Sequence, residues 1–309
     1  MMELSSLWQR IRQRVPLSRL FQAAILLLFA GYVVFFLQKY WQNIDFSLIL
    51  RFWKQSLAIF GLAILFLGIK SCILYLGGVL FGKRQRYFHY LKVYCVSLFV
   101  ELATFSGKLG ADGFKLVFWK DISVKQRFLL VFLLRGVDIF AFITLFLLFY
   151  FSAAVSLSFV VTGLLLFFTL DKWQRRHSPE QKISLFRHPT LYLMLFLSLI
   201  SFGIMLLQLS IVFSAVGLLI SKETLLSFLA SHGLGALSQL PLGLGAKDFS
   251  LFYLLRESLP VETILFSLIW VRLFSDFFVF CLGGLFSLLY LRRKQKETQK
   301  ESIASGSRF

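Results

Sequence analysis

Two arginines stand where arginine is expensive. Arg135 lies about eight residues into the apolar stretch 128–151, and Arg272 about ten residues into 263–291. At about 1.5 Å per helical residue, each is roughly 10–15 Å along its helix. An ionised side chain near a bilayer centre costs at least about 2.5–3.5 kcal/mol, so each needs a compensating partner. Asp138 follows Arg135 by three residues and Asp276 follows Arg272 by four, so each carboxylate shares a helix face with its arginine. Two readings stay open: a structural ion pair that locks helix to helix, or a cavity-lining pair that binds an anionic headgroup and releases its carboxylate. Lys70 lies near the middle of 56–81, where snorkelling to the interface is hard, and Glu101 lies within 91–106. Both are functional candidates for the same reason, and a Lys70–Glu101 pair is one arrangement they allow.

Two glycine-containing segments follow the apolar stretches that are most compromised by polar residues. GKLGADGFK occupies 107–115 and PLGLGAKDF occupies 241–249. Broken helices at depth expose backbone N–H groups, and a helix N-terminus attracts phosphate. Gly107, Gly110 and Gly113, then Gly243 and Gly245, can bring backbone close to a lipid phosphate, with Lys108 and Lys115 adding charge. The plainer reading is that they are tight turns between half-helices.

Other motifs carry less. GGVLFGK at 77–83 has near-Walker spacing, but Arg84 stands where a magnesium-binding Ser or Thr belongs, and no strand precedes it. His177 and His188 lie in a basic loop without a metalloprotease or nucleophile pattern, and His89 and His232 are isolated. Cys72, Cys95 and Cys281 show neither metal spacing nor a disulfide framework. No cofactor, metal or nucleotide is expected.

The elements that position these charges are apolar helices. The chain is 58% hydrophobic, with a mean hydropathy of +0.78, against roughly 45–50% apolar residues in soluble domains. Lipid can solvate the outer faces of such helices, and water cannot. The net charge of +18 is carried mostly by short segments between apolar runs. There the positive-inside rule and anionic lipid account for it better than nucleic acid does.

The expected fold is an all-α polytopic membrane protein. Spans of about 20 residues fit 20–38, 56–81, 128–151, 153–170, 191–217 and 263–291, while 91–106 and 224–240 are shorter and more polar. A basic amphipathic segment, 1–19, precedes a single membrane domain over 20–291, and a basic tail occupies 292–309. Lys and Arg are richest at the N-terminus, in 82–92, in 171–189 and in the tail, which predicts that all four are cytoplasmic. Counting crossings then makes 91–127 enter and leave from inside and 218–262 enter and leave from outside. The net basic 39–55 segment departs from this scheme, and eight uniform spans are the alternative.

The halves 20–151 and 153–291 share a layout. KLGAD at 108–112 matches GLGAK at 243–247, and an Arg/Asp pair follows about 25 residues later in each. With the crossings above, the second copy is inverted. Interrupted short segments at matching positions of inverted repeats mark the midplane site of a transporter.

These features resemble the transmembrane, flippase-like region of the lysylphosphatidylglycerol synthase family, which many standalone bacterial membrane proteins share. GADGFKLVF at 110–118 resembles a G-G-D-x-x-R-x-x-L element, with Asp112 matching and Lys115 in place of Arg. LLRGVD at 133–138 resembles L-x-R-x-x-D, and PLGLGAKD at 241–248 resembles P-G-G-L-G-x-x-E, with Asp248 for the Glu. Lys115 and Asp248 keep the charge but change reach and geometry. About 18 residues follow the last span, so lipid lysylation by a soluble synthase domain is not implied.

The resemblance implies a lipid translocase of the bacterial cytoplasmic membrane, working on a phospholipid or glycolipid with an anionic headgroup, and an oligomer is compatible with it. Its phosphate would lie near Arg135, Arg272 and the glycine segments. Two other readings remain: a membrane-embedded lipid-modifying enzyme using Glu101 or Asp112, and a non-catalytic partner in envelope lipid synthesis.

Overall fold

A computed structural model describes residues 47–83, 85–103, 108–119, 122–177, 188–218, 220–237, 246–279, 281–286 and 289. The predicted span 20–38, the amphipathic segment 1–19 and the tail 292–309 lie outside the described residues. Within them the protein is helical and without strands. In chain order the helices are α1 (Ser47–Arg51), α2 (Trp53–Leu80), α3 (Tyr87–Ala103), α4 (Lys108–Phe118) and α5 (Val124–Tyr150). They continue with α6 (Ala153–His177), α7 (Pro189–Ala215), α8 (Lys222–Leu237), α9 (Ala246–Leu255) and α10 (Val261–Phe274). Past Ser275 the chain is helical again over 276–279 and 281–286.

Among the described residues four helices are long and apolar enough to cross a membrane: Trp53–Leu80, Val124–Tyr150, Pro189–Ala215 and Val261–Phe286. The protein is thus an α-helical membrane protein by the length and composition of these elements. The side chains they turn outward include Leu57, Ile64, Phe132, Ile139, Phe196 and Leu207, a surface that acyl chains solvate. Their inner faces carry small polar residues instead, among them Ser56, Ser71, Ser198, Ser201 and Ser267. Small residues let helix backbones approach where no hydrophobic gradient drives association.

Many of the inner hydroxyls are satisfied within their own helix: Ser71 donates to the Leu67 carbonyl, Ser97 to Tyr94, Ser201 to Ser198 and Ser231 to Phe228. Others pin helices together. Trp270 Nε1 donates to Ser56 Oγ at 2.9 Å, and Gln208 Nε2 donates to the Ile59 carbonyl at 3.2 Å.

The directions of the helices follow from their contacts. Ile59 lies beside Gln208 and Gly77 beside Met194, so α2 and α7 run antiparallel. Ser56 meets Trp270 and Phe60 meets Phe278, so α2 and α10 run parallel. Val137 packs with Leu191 and Met194, and Phe142 with Phe202, so α5 runs parallel to α7. The two helices that head the central pair also end alike. Gly82, at φ 76°, and Gly217, at φ 78°, follow α2 and α7. In each case the next residue's N–H returns to the carbonyl five residues back: Lys83 to Gly78 and Leu218 to Phe213, both at 2.9 Å. Positive φ favours glycine, and this return, with the Gly82 N–H on the Val79 carbonyl and the Gly217 N–H on the Ser214 carbonyl, satisfies orphan carbonyls of the last turn.

Between the long helices lie two pairs of shorter ones. α3 and α4 pack on each other with Phe118 brought back beside Tyr90, ring centroids 6.3 Å apart. The chain therefore leaves α4 at the end of the pair where it entered α3. In the second half α9 packs back on α8 through Leu251 and Leu255 against Phe228 and Leu229.

Three boundaries differ from the sequence expectation. Residues 107–115 were expected as a turn between half-helices, yet Gly110 and Gly113 sit inside α4. Each helical glycine costs about 0.5–1 kcal/mol relative to alanine, which the packing of α4 on α3 outweighs. α6 runs on to His177, beyond the expected span end at 170. Apolarity ends there, but no glycine or proline stops the helix. α5 begins at Val124 rather than 128, because Ser123 caps it by accepting from the Gln126 N–H in a Ser-x-x-Gln box.

Candidate functional site

The charges that are costly in lipid gather into one cluster. Asp112, on α4, is held by two cations. Arg135 of α5 reaches its Oδ2 at 2.9 Å, and Lys115, one turn further along α4, reaches its Oδ1 at 3.1 Å. Asp248, on α9, is held in the same manner by the second arginine: Arg272 of α10 spans both carboxylate oxygens at 3.0 and 3.1 Å. Arg272 also bonds Asp276, one turn along its own helix.

Asp112 and Asp248 are therefore counterparts. Each stands on the second arm of a helical pair and reaches the arginine of the long helix that follows. This pairing differs by one residue from the sequence match. The KLGAD/GLGAK match sets Asp112 against Lys247, whereas the ion pairs set it against Asp248.

One expected pair forms and one does not. Arg272–Asp276 is present, as the spacing of four predicts. Arg135 does not bond Asp138. Four residues turn a helix about 400° and three about 300°, so the offset from a common face is about 40° in the first case and 60° in the second. Asp138 instead accepts from Lys70 Nζ of α2 at 2.7 Å and from Ser198 Oγ of α7 at 2.6 Å. Asp138 thus ties three long helices at one carboxylate. The alternative Lys70–Glu101 pairing gives way to Lys70–Asp138. The Lys70 ammonium also lies 5.7 and 5.5 Å from the ring centroids of Phe66 and Phe202, which stabilises a desolvated cation. Glu101 is buried near the end of α3 at 8% exposure, within electrostatic reach of Lys108.

Lys108 begins α4 and crosses to the other half. Its Nζ donates to the Gly235 carbonyl near the end of α8 at 3.0 Å. Gly110 follows it within α4, while Gly243 and Gly245 lie outside the described residues. Two residues that were not singled out as sites belong to the same region. Lys247, at the start of α9, lies 4.9 Å from the Phe228 ring centroid and within reach of the charges of Arg272, Asp276 and Asp248. His232, on α8, faces Phe202 edge-on at 5.3 Å. The available signal was their place: a cation beside a helix break, and a titratable ring inside a short polar-spotted apolar run.

Among the described residues the cluster holds six cations, Lys70, Lys108, Lys115, Arg135, Lys247 and Arg272, against five carboxylates, Glu101, Asp112, Asp138, Asp248 and Asp276. It carries one more positive than negative charge, which suits a monoanion. No group of three or more His, Cys, Asp or Glu among the described residues is arranged to hold a metal ion. No family model matches the chain, and neither a curated protein nor a solved structure matches it.

Proposed function

We propose that the protein is a lipid translocase of the bacterial cytoplasmic membrane, moving a lipid with a polar or anionic headgroup while the tails stay in the bilayer. The observation that carries this reading is the twice-built Asp–Arg contact, Asp112 with Arg135 and Asp248 with Arg272. Partly buried cations with a net positive surplus attract a headgroup anion. Carboxylates within reach can release the arginines to it and take them back when it leaves. A cluster closed by exchangeable ion pairs tolerates being both empty and occupied.

In this reading the chain has six full spans and two re-entrant helical pairs, α3–α4 from the cytoplasmic side and α8–α9 from the opposite side. The halves 20–151 and 153–291 are inverted repeats, and both termini are cytoplasmic. Three observations support it. The equivalent helices α2 and α7 run antiparallel and end in the same glycine cap. Phe118 returns beside Tyr90, as a segment that re-enters on one side must. The order of GADGFKLVF, LLRGVD and PLGLGAKD resembles that of the lysylphosphatidylglycerol synthase flippase-like region.

The test is reconstitution into liposomes carrying a panel of fluorescent lipids, with a membrane-impermeant quencher reporting headgroup exposure. Protein-containing vesicles are expected to exchange at least one anionic or glycosylated lipid faster than empty ones. Absence of exchange across the panel, with the protein shown to be folded, overturns the proposal.

A further inference from the structure

One face of α8 is left unexplained by the arginine pairs. Phe228, His232 and Gly235 are spaced by four and three residues, so they stack along one side of the helix. Lys247 lies over the Phe228 ring at 4.9 Å and Lys108 bonds the Gly235 carbonyl at 3.0 Å. His232 is therefore bracketed by a lysine one turn below and another one turn above, each contributed by a different half of the protein. Phe202 meets the ring edge-on and also lies beside Phe142 and Lys70.

The His232 Nδ1 is shut off from solvent and has no hydrogen-bond partner among the described residues. The charges of Lys247, Lys108, Lys70 and Arg272 all act on it. Among the described residues Lys247 has no carboxylate bonded to it, because Asp248 and Asp276 are bonded to Arg272.

A buried polar atom without a partner is costly, and like charges gathered in a low-dielectric site repel. An oxyanion resolves both. An imidazole with hydrogen on Nδ1 offers one directional donor, while lysines act as point charges that tolerate variation in position. We propose that this face is the seat of a phosphodiester, with His232 Nδ1–H donating to a phosphate oxygen and Lys108 and Lys247 closing on its charge from either side. A phosphodiester carries one negative charge, which equals the surplus of the cluster. The inference deepens the translocase reading and rests on it for the identity of the occupant, the phosphate of a lipid headgroup.

The experiment is calorimetric titration of the full-length protein in a phosphate-free maltoside detergent, with three probes. These are dihexanoyl phosphatidylmethanol, which presents a bare phosphodiester, inorganic phosphate, and uncharged dihexanoyl glycerol. Phosphatidylmethanol is expected to bind and the glycerol is not. His232→Phe is expected to weaken phosphatidylmethanol binding about 10- to 100-fold, as loss of a hydrogen bond to a charged group does. His232→Asn, which holds an amide N–H near the Nδ1 position, is expected to restore most of it. Lys247→Gln and Lys108→Gln should each weaken it about tenfold.

If His232→Phe fails to fold, the Asn and Gln variants carry the test. His232-dependent binding of inorganic phosphate alone upholds the seat and assigns it to free phosphate. Unchanged phosphatidylmethanol binding in folded His232→Phe and Lys247→Gln overturns the proposal, even where lipid exchange proceeds in liposomes. His232-dependent binding without any lipid exchange instead removes the translocase reading and leaves the seat.

Discussion

The two arginine sites are built from the same parts and closed to different degrees. Arg272 is 19% exposed and bonds two carboxylates, Asp248 and Asp276. Arg135 is 39% exposed and bonds Asp112, which it shares with Lys115. The carboxylate that follows Arg135, Asp138, is drawn away to Lys70 and Ser198. One half therefore satisfies its arginine locally, on a single helix and its neighbour. The other spreads its charges over α2, α4 and α5, with a hydroxyl from α7. Local closure suits a static anchor, and distributed closure suits a site that opens, since Asp112 keeps Lys115 when Arg135 leaves it.

The largest expected effect tests that asymmetry directly. Arg272→Ala removes the cation that Asp248 and Asp276 share and should destabilise by about 3–5 kcal/mol, the usual result of removing one partner of a buried pair. Arg135→Ala leaves Asp112 on Lys115 and should cost only about 1–3 kcal/mol. Thermal unfolding in detergent measures both, and equal losses would break the comparison.

A second test concerns how the halves meet. A methyl group on Gly283 would run into the Cys95 carbonyl of α3 and the Phe99 side chain. Gly283→Ala should therefore destabilise by about 1–3 kcal/mol through overpacking, with the same readout.

The smallest effect has the opposite sign. A methyl on Gly113, inside α4, meets nothing within 4 Å. Gly113→Ala should stabilise by about 0.5–1 kcal/mol, because alanine loses less chain entropy in a helix. A destabilised Gly113→Ala protein would mean that the first half needs the flexibility of α4 and not only its space.

The long helices were legible because their signal is local: apolar runs of sufficient length, broken by charge. Arg272–Asp276 was legible for the same reason, being one turn apart. The partners of Arg135, Asp138 and Lys70 were not. They come from helices far away in sequence, and a single charged residue does not state which neighbour it meets. His232 and Lys247 escaped because their meaning arises only when α8 and α9 fold together against α4. The glycine segments were half legible. Gly110 and Gly113 read as turn residues, but tertiary packing carries them into a helix despite their propensity.

The hydroxyls of Ser97 and Ser231 have a mechanical consequence. Each is already bonded to a carbonyl of its own helix, so neighbouring surfaces can shear along α3 or α8 without stranding these two donors. The long helices lack that freedom where Trp270 is stitched to Ser56, Gln208 to the Ile59 carbonyl and Ser198 to Asp138. The short helices are held by other polar contacts, among them Tyr87 on the Gly68 carbonyl, Lys108 on the Gly235 carbonyl and the two Asp–Arg contacts. A short helix that shifted along its apolar faces would have to exchange those polar bonds, while the stitched long helices would hold their places.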